Sequence, residues 1–285
     1  MANLKEIRNR ITSIGSTMKI TSAMKMVSAA KLKKAQDAIT AMRPYSNKLS
    51  ELLQNLSATL DADAGGKFSE QREVSKVLLV VVTSNRGLCG GFNSSVIKET
   101  RKVAATYAGK SVDLITIGKK GNDLLSKEFN VVSNKSDLYD ALTFDAVVPI
   151  AESLMDHFIS GSYDKIEVVY NSFKNAGTQL LNVEQFLPIL PVESDANQAS
   201  DYLFEPSKEE IISELIPKSL KTQLYKAIRD SYASEHGARM TAMHKATDNA
   251  KELRNELLLT YNKARQAAIT NEILEIVGGA EALNA

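Results

Sequence analysis

The chain has 285 residues and a mass of 31.1 kDa, room for one large domain or two modest ones. With 44% hydrophobic and 24% charged residues, 14 Gly and 6 Pro, it reads as a helix-leaning globular protein, and collagen-like, mucin-like and disordered classes are excluded. The net charge of +1 and the single cysteine, Cys89, exclude a polyelectrolyte, an internal disulfide framework and a cysteine-cluster zinc site.

The N-terminal MANLKEIRNR has no apolar core, so no secretory leader is expected, and no run of 18 apolar residues suits a bilayer span. A reducing compartment and a soluble or peripheral protein follow as expectations. From Asn3 to Leu60 the residues are mostly good helix formers, with Asn3 as a cap, Glu6 in the first turn, and Gly15 and Pro44 as the only interruptions. Leu4, Ile7, Ile11, Ile14 and Met18, then Leu32, Ala35, Ile39 and Met42, then Leu49, Leu53, Leu56 and Leu60 form a 3–4 seam of coiled-coil type. In the gap the same register holds Thr21, Lys25 and Ser28, while Ile20, Ala23, Met24, Met26 and Val27 lie elsewhere on the circumference. One partner helix cannot cover all of them.

Charge follows the same division. Met1–Leu60 carries ten Lys/Arg against three Asp/Glu, residues 61–217 carry 15 against 23, and the remainder carries ten against eight. A basic end is either a solvated face or a surface for an acidic partner. No aromatic residue precedes Tyr45, which argues against base stacking and hence against nucleic acid.

The middle alternates. KVLLVVVT (76–83) is a continuous apolar run that suits a strand covered on both faces. SNRGLCGGFN leads into a helix from about Ser94 to Tyr107; VDLITIG, a short helix near 121–128, FNVVS and a helix near Val147–Ile159 follow. KIEVVYNSF (165–173) and TQLLNVEQFLPI (178–189) pair as a hairpin. The strand–turn–helix at SNRGLCGGFN has the topology of a phosphate-binding turn, and Arg86 offers a cation. It matches neither G-x-x-x-x-G-K-[ST] nor G-x-G-x-x-G, and a tight turn accounts for the same glycines. GKKG (118–121) is a second such turn. Cys89 is expected to be a buried structural thiol.

Residues 191–210 are polar and proline-flanked, a surface connection. Lys218–Val277 reads as one helix of about 60 residues, ~90 Å long, against a compact-globule diameter near ~50 Å. Such a helix must project. A small-residue seam, Ala227, Ser231, Ser234, Ala238, Ala242, Ala246 and Ala250, would admit a second helix closely, and antiparallel pairing with the N-terminal helix is expected. Ile269, Ile273, Leu274, Ile276 and Val277 are apolar around much of the helix and need a covering partner. Gly278 and Gly279 should loosen or end it. His236 and His244 stand eight residues apart, too far for one metal ion; Glu235 and Arg239 form an i, i+4 pair of the kind found on exposed faces. The expected fold is α/β: a long antiparallel coiled coil of terminal helices (1–60 and 211–285), a small Rossmann-like sheet domain (74–190), and the connection 191–210.

Three stretches resemble the ATP synthase gamma subunit family: IRNRITSIGSTMKITSAMKMVSAAKLKKAQ (7–36), SNRGLCGGFN (84–93, with Asn85 where the family often has Asp) and ITNEILEIVGGAEA (269–282). SEHGARMTAMHKATDNA and YNKARQAAIT are similar to it as well. The resemblance implies a non-catalytic rotor in the central stalk, without cofactor or metal. It couples proton flow through the membrane sector to ATP synthesis and hydrolysis in the alpha/beta catalytic ring. Implied partners are the alpha and beta subunits, the epsilon subunit and the c-type membrane rotor ring, on the cytoplasmic face of a bacterial plasma membrane. Implied coupling contacts are Lys19, Met24, Lys25, Arg239, Arg265, Gln266, Thr270, Glu272 and Glu275. A static coiled-coil adaptor and a nucleotide-binding enzyme using the Gly-rich turn are the competing readings.

Overall fold

A computed structural model describes residues 4–58, 66–189 and 208–284. Helix α1 is Leu4–Ala58; then come β1 Lys76–Val82, α2 Phe92–Thr106, β2 Ser111–Ile117, α3 Lys119–Leu125, β3 Asn130–Asn134, α4 Phe144–Ile159, β4 Lys165–Asn175, β5 Thr178–Leu187 and α5 Lys208–Asn284. The expected Asn3 cap, Leu60 and the polar stretch 191–207 lie outside the described residues. Two compact units result: Met1–Ser28 with Met240–Ala285, and Ala29–Arg239.

The larger unit is built on a five-stranded sheet of order β3-β2-β1-β4-β5, parallel except for the edge strand β5. Its central strand explains why KVLLVVV lacks alternation. Val77, Leu79 and Val81 enter a core with Val96, Ile97 and Ala104 of α2. Leu78, Val80 and Val82 enter the opposite core with Val147, Leu154 and Phe158 of α4 and Ile216, Leu220 and Leu224 of α5. Both faces of β1 are covered by helices, so every position must be apolar. Thr143 caps α4 by accepting from Ala146 N at 3.3 Å, which starts this helix before Val147.

The terminal helices are longer than their local signals allow. Helix α1 runs through Gly15 and Pro44, and α5 has 77 residues, starting ahead of Pro217 and continuing past Gly278 and Gly279. An internal proline costs about 3 kcal/mol. Burial of Ile216, Leu220 and Leu224 beside it returns about 1.5–3 kcal/mol each. Packing therefore overrides the proline.

Two glycines pin the sheet's C-terminal edge. Gly118 has φ +116°, and a Cβ there would stand 2.1 Å from the Thr83 carbonyl oxygen; one on Gly121 would stand 2.7 Å from Thr83 Oγ1. Gly118→Ala is expected to lower stability by about 2–5 kcal/mol, combining backbone strain with a clash against main chain. Gly87→Ala, which points into open space, should cost under about 1 kcal/mol. Urea unfolding of the full chain compares the two.

Candidate functional site

The Gly-rich turn between β1 and α2 is tied down from within. Ser84 N donates to Asn93 Oδ1 at 2.9 Å, Asn93 Nδ2 donates to Ser84 Oγ at 2.8 Å, and Ser84 Oγ donates to the Arg86 carbonyl at 2.7 Å. Asn85 uses both ends of its amide. Its Nδ2 donates to the Ser136 carbonyl at 2.9 Å, and its Oδ1 accepts from Lys119 N at 3.0 Å. An ionised Asp here would lack that donor and leave the Ser136 carbonyl without it. Leu88 adopts φ +63° and Gly90 φ +59°, which turns the chain sharply enough to seat the Cys89 thiol beneath it. Burial pushes the thiol pKa up, as expected of a structural cysteine.

A side chain from α5 closes this turn. Arg239 Nη2 donates to the carbonyls of Arg86 at 3.0 Å and Gly87 at 3.3 Å, while Nη1 donates to Glu235 Oε1 at 2.6 Å. The Arg239 and Glu235 side chains are only 8% and 9% exposed. The pair is therefore not the exposed i, i+4 contact that its spacing suggests. It is a buried ion pair whose guanidinium also satisfies two peptide carbonyls. Burial raises the Glu235 pKa, and Arg239 opposes that rise. Beside it Tyr232 stacks on Tyr139 with ring centroids 6.1 Å apart, and Tyr139 OH donates to the Thr83 carbonyl at 2.8 Å. A Cβ on Gly237 would stand 3.2 Å from Ala176 in the β4–β5 turn. Ala238 packs with Cys89 and Phe92.

These contacts bear on two expectations. The seam residues Ala227, Ser231, Ser234 and Ala238 are all buried. Ala227 joins the core on one face of the sheet and Ala238 packs on the Gly-rich turn, while α1 from Ala29 onward shares this unit, with Leu32, Ala35 and Ile39 buried and Lys31 near enough for its charge to act on Glu235 and His236. In an open sheet of this order a dinucleotide would lie outside the strand ends, at the switch between β1 and β4. Here α5 of the same chain occupies that place, and the Arg86 and Gly87 carbonyls face a guanidinium.

The other sequence-predicted residues lie in the smaller unit. Thr247 Oγ1 bonds Thr21 Oγ1 at 2.8 Å, and Lys25 Nζ meets His244 Nδ1 at 3.3 Å. Four residues forward on α1 match three backward on α5, so the helices pair antiparallel. The register read through the gap holds: Thr21 and Ser28 are buried and Lys25 is half-buried, whereas Ile20, Met26 and Val27 are exposed. Lys19 is exposed and Met24 half-buried. Continued at this pitch, Leu4 stands level with about position 264 of α5. Ile269, Ile273, Leu274, Ile276 and Val277 lie past that level, and exposure there reaches 63% at Leu274 and 71% at Ile276.

Arg265, Gln266, Thr270, Glu272 and Glu275 are all exposed on this stretch, and the Thr270 hydroxyl turns back to the Gln266 carbonyl at 2.9 Å. The structure thus gathers Lys19, Met24 and Lys25 on one helix and five more on the other. Arg239 stands apart in the clamp. Sequence reasoning missed the Arg86 and Gly87 carbonyls as partners of Arg239, and the Tyr139–Tyr232 stack in the same unit. The only advance signal was the small-residue run around Ala238.

A family described as ATP synthase matches residues 3–283. The chain is 73% identical over 284 residues to the ATP synthase gamma chain of Flavobacterium psychrophilum, covering 99% of each. Among solved structures, it resembles a chain of the Euglena gracilis mitochondrial ATP synthase (OSCP/F1/c-ring). That match has a TM-score of 0.69 and 21% identity, covering 98% of this chain and 94% of the other. A chain of the Tetrahymena thermophila mitochondrial ATP synthase central stalk and c-ring matches with TM-score 0.61 and 26% identity, covering 80% and 99%.

The clamp has a pH signature. His236 is buried with Nδ1 3.4 Å from Arg239 Nη1, so Nδ1 accepts and Nε2 carries the proton, without a hydrogen-bond partner among the described residues. Burial, then the charges of Arg239 and Lys31, push its pKa down to about 3. The unfolded chain takes up this proton near pH 6.5 and the folded chain does not. The contribution of His236 to stability is therefore complete above about pH 6.5 and drains away as pH falls toward about 3. Urea midpoints at pH 7.5, 5.5 and 4.5 should fall more steeply in the wild type than in His236→Gln, a difference that leaves Glu235 common to both.

Proposed function

The chain belongs to the ATP synthase gamma-chain family, the central-stalk subunits of that complex, and on that premise we propose how it does its work. It is the rotating shaft that couples proton flow through the membrane sector to ATP synthesis and hydrolysis, and by itself it catalyses nothing. The alpha and beta subunits of the catalytic ring enclose the exposed C-terminal end of α5. The sheet unit meets the epsilon subunit and the c-type rotor ring. The complex sits on the cytoplasmic face of a bacterial plasma membrane, and this chain reaches the membrane through its partners. No described helix is long and apolar enough to cross it.

One observation carries the reading. The apolar residues from Ile269 to Val277 stand exposed, past the level at which the described part of α1 ends. Such a surface persists in water only when enclosed. An asymmetric helix pair within a ring of catalytic subunits makes different contacts at each angle. Work is available only from the difference in contact free energy between two conformations of the same subunit. Met24 and the basic Lys19 and Lys25 supply contacts from α1, directed at acidic levers of the beta subunits. Arg265, Gln266, Thr270, Glu272 and Glu275 supply polar contacts from α5. Arg239 contributes indirectly, by keeping the Gly-rich turn seated on α5.

A static adaptor would bind the same partners without turning. Covalently linking the exposed part of α5 to a beta subunit in the assembled complex is expected to stop ATP-driven rotation of the sheet unit. Continued rotation would refute the shaft. Met24→Lys is expected to lower proton pumping more than ATP hydrolysis, because the added ammonium engages acidic groups at one angle more strongly than at others. If pumping, hydrolysis and assembly decline in parallel, Met24 is a packing residue.

A further inference from the structure

Within the helix pair one imidazole nitrogen faces two partners that require opposite protonation. His244 Nδ1 lies 3.3 Å from Lys25 Nζ on α1 and 3.3 Å from Asp248 Oδ2 one turn along α5. An ammonium only donates and an ionised carboxylate only accepts. The nitrogen serves Lys25 when it bears a lone pair and Asp248 when it bears a proton, and it cannot serve both. We propose that His244 is a proton-controlled selector that ties Lys25 across the pair when neutral and releases it when protonated.

The surroundings set the sense of the exchange. Lys25 is the charged group that meets His244 from α1, and Asp248 the one from α5; Lys245 lies next in sequence on α5. The Thr21–Thr247 hydrogen bond holds the two helices in register a turn away, so Lys25 can leave without parting the pair. His244 and Asp248 side chains are 56% and 59% exposed, so protons exchange freely with solvent. Histidine changes charge in the range that cells visit. Protonation turns the ring nitrogen from acceptor to donor and places a second cation beside the Lys25 ammonium. Lys25 then swings outward, free to meet an acidic group of a partner.

This regulatory consequence rests on the role proposed above for Lys25; the selector itself is a property of the helix pair. The test uses the full chain carrying 15N-histidine, followed by NMR between pH 8 and pH 5. His157→Gln and His244→Gln assign the three histidines. Neutral His244 is expected as the Nε2–H tautomer. Its titration midpoint should rise in Lys25→Gln and fall in Asp248→Asn, each by about 0.2–0.7 pH units. A neutral Nδ1–H tautomer, or midpoints unmoved in both variants, overturns the selector.

In the assembled complex the ratio of proton pumping to ATP hydrolysis is then compared with His244→Gln across the same range. Profiles that diverge toward the acid end of that range support the regulation, and superimposable profiles overturn it. Lys25→Gln with unaltered pumping at every pH, alongside the expected NMR shifts, would remove Lys25 from the coupling contacts and leave the selector standing.

Discussion

A buried guanidinium shared between one carboxylate and two peptide carbonyls fastens α5 to the sheet. Arg239 presents five donors in a fixed planar fork, and its two terminal nitrogens reach Glu235, Arg86 and Gly87 at 2.6–3.3 Å, with His236 at 3.4 Å. Two features make this arrangement possible. Gly237 lets the helix approach Ala176 without a side chain between them, and the Leu88–Gly90 stretch turns the main chain so that its carbonyls point at α5. Removing one partner of such a pair leaves the other charged in a dry site, a loss of about 3–5 kcal/mol. An ordinary surface ion pair contributes under about 1 kcal/mol. The anchor of the long helix is therefore electrostatic as well as apolar.

Beyond Arg239 the same helix changes its strategy. Up to that residue it buries Leu220, Leu224, Ala227, Ile228 and Ala233 almost completely. From Met240 onward it belongs to the smaller unit, where one partner helix covers a stripe and the rest of the circumference stays in solvent. Two helices have no third layer, so the polar Thr21, Thr247, Lys25 and His244 can sit on the seam and meet as hydrogen-bonding groups. An all-apolar seam would bind more tightly, but it would offer nothing that responds to protons.

Much of this architecture was legible in the residues. The unbroken run KVLLVVVT declares a strand covered on both faces, and the order of strands and helices follows from periodicity and turn glycines. The place where Thr21, Lys25 and Ser28 interrupt the apolar seam was also readable, because a register once set by Ile7, Ile11 and Ile14 continues down the helix. Burial of Glu235 and Arg239 was not. A spacing of four looks the same in water as in a core, and the deciding group, the Arg86 carbonyl, lies 153 residues away. Pro217 and Gly278 misled for the same reason: both are local signals outweighed by packing or by the helix on either side. The coupling contacts proposed on α5 rest on resemblance alone. Arg265, Glu272 and Glu275 sit on an exposed helix like any solvated charges, and no pattern within one chain sets them apart.

The apolar end of α5 also bears on how such a chain must be made. A freshly synthesised copy that has yet to find its companions presents Leu274 and Ile276 to water, and two such copies can cover each other's apolar side chains. Self-association grows with the square of concentration, whereas productive capture depends on the supply of neighbours. Balanced subunit synthesis is thus a physical requirement of this helix tip, and overproduction of the chain alone should yield precipitate in preference to soluble shaft.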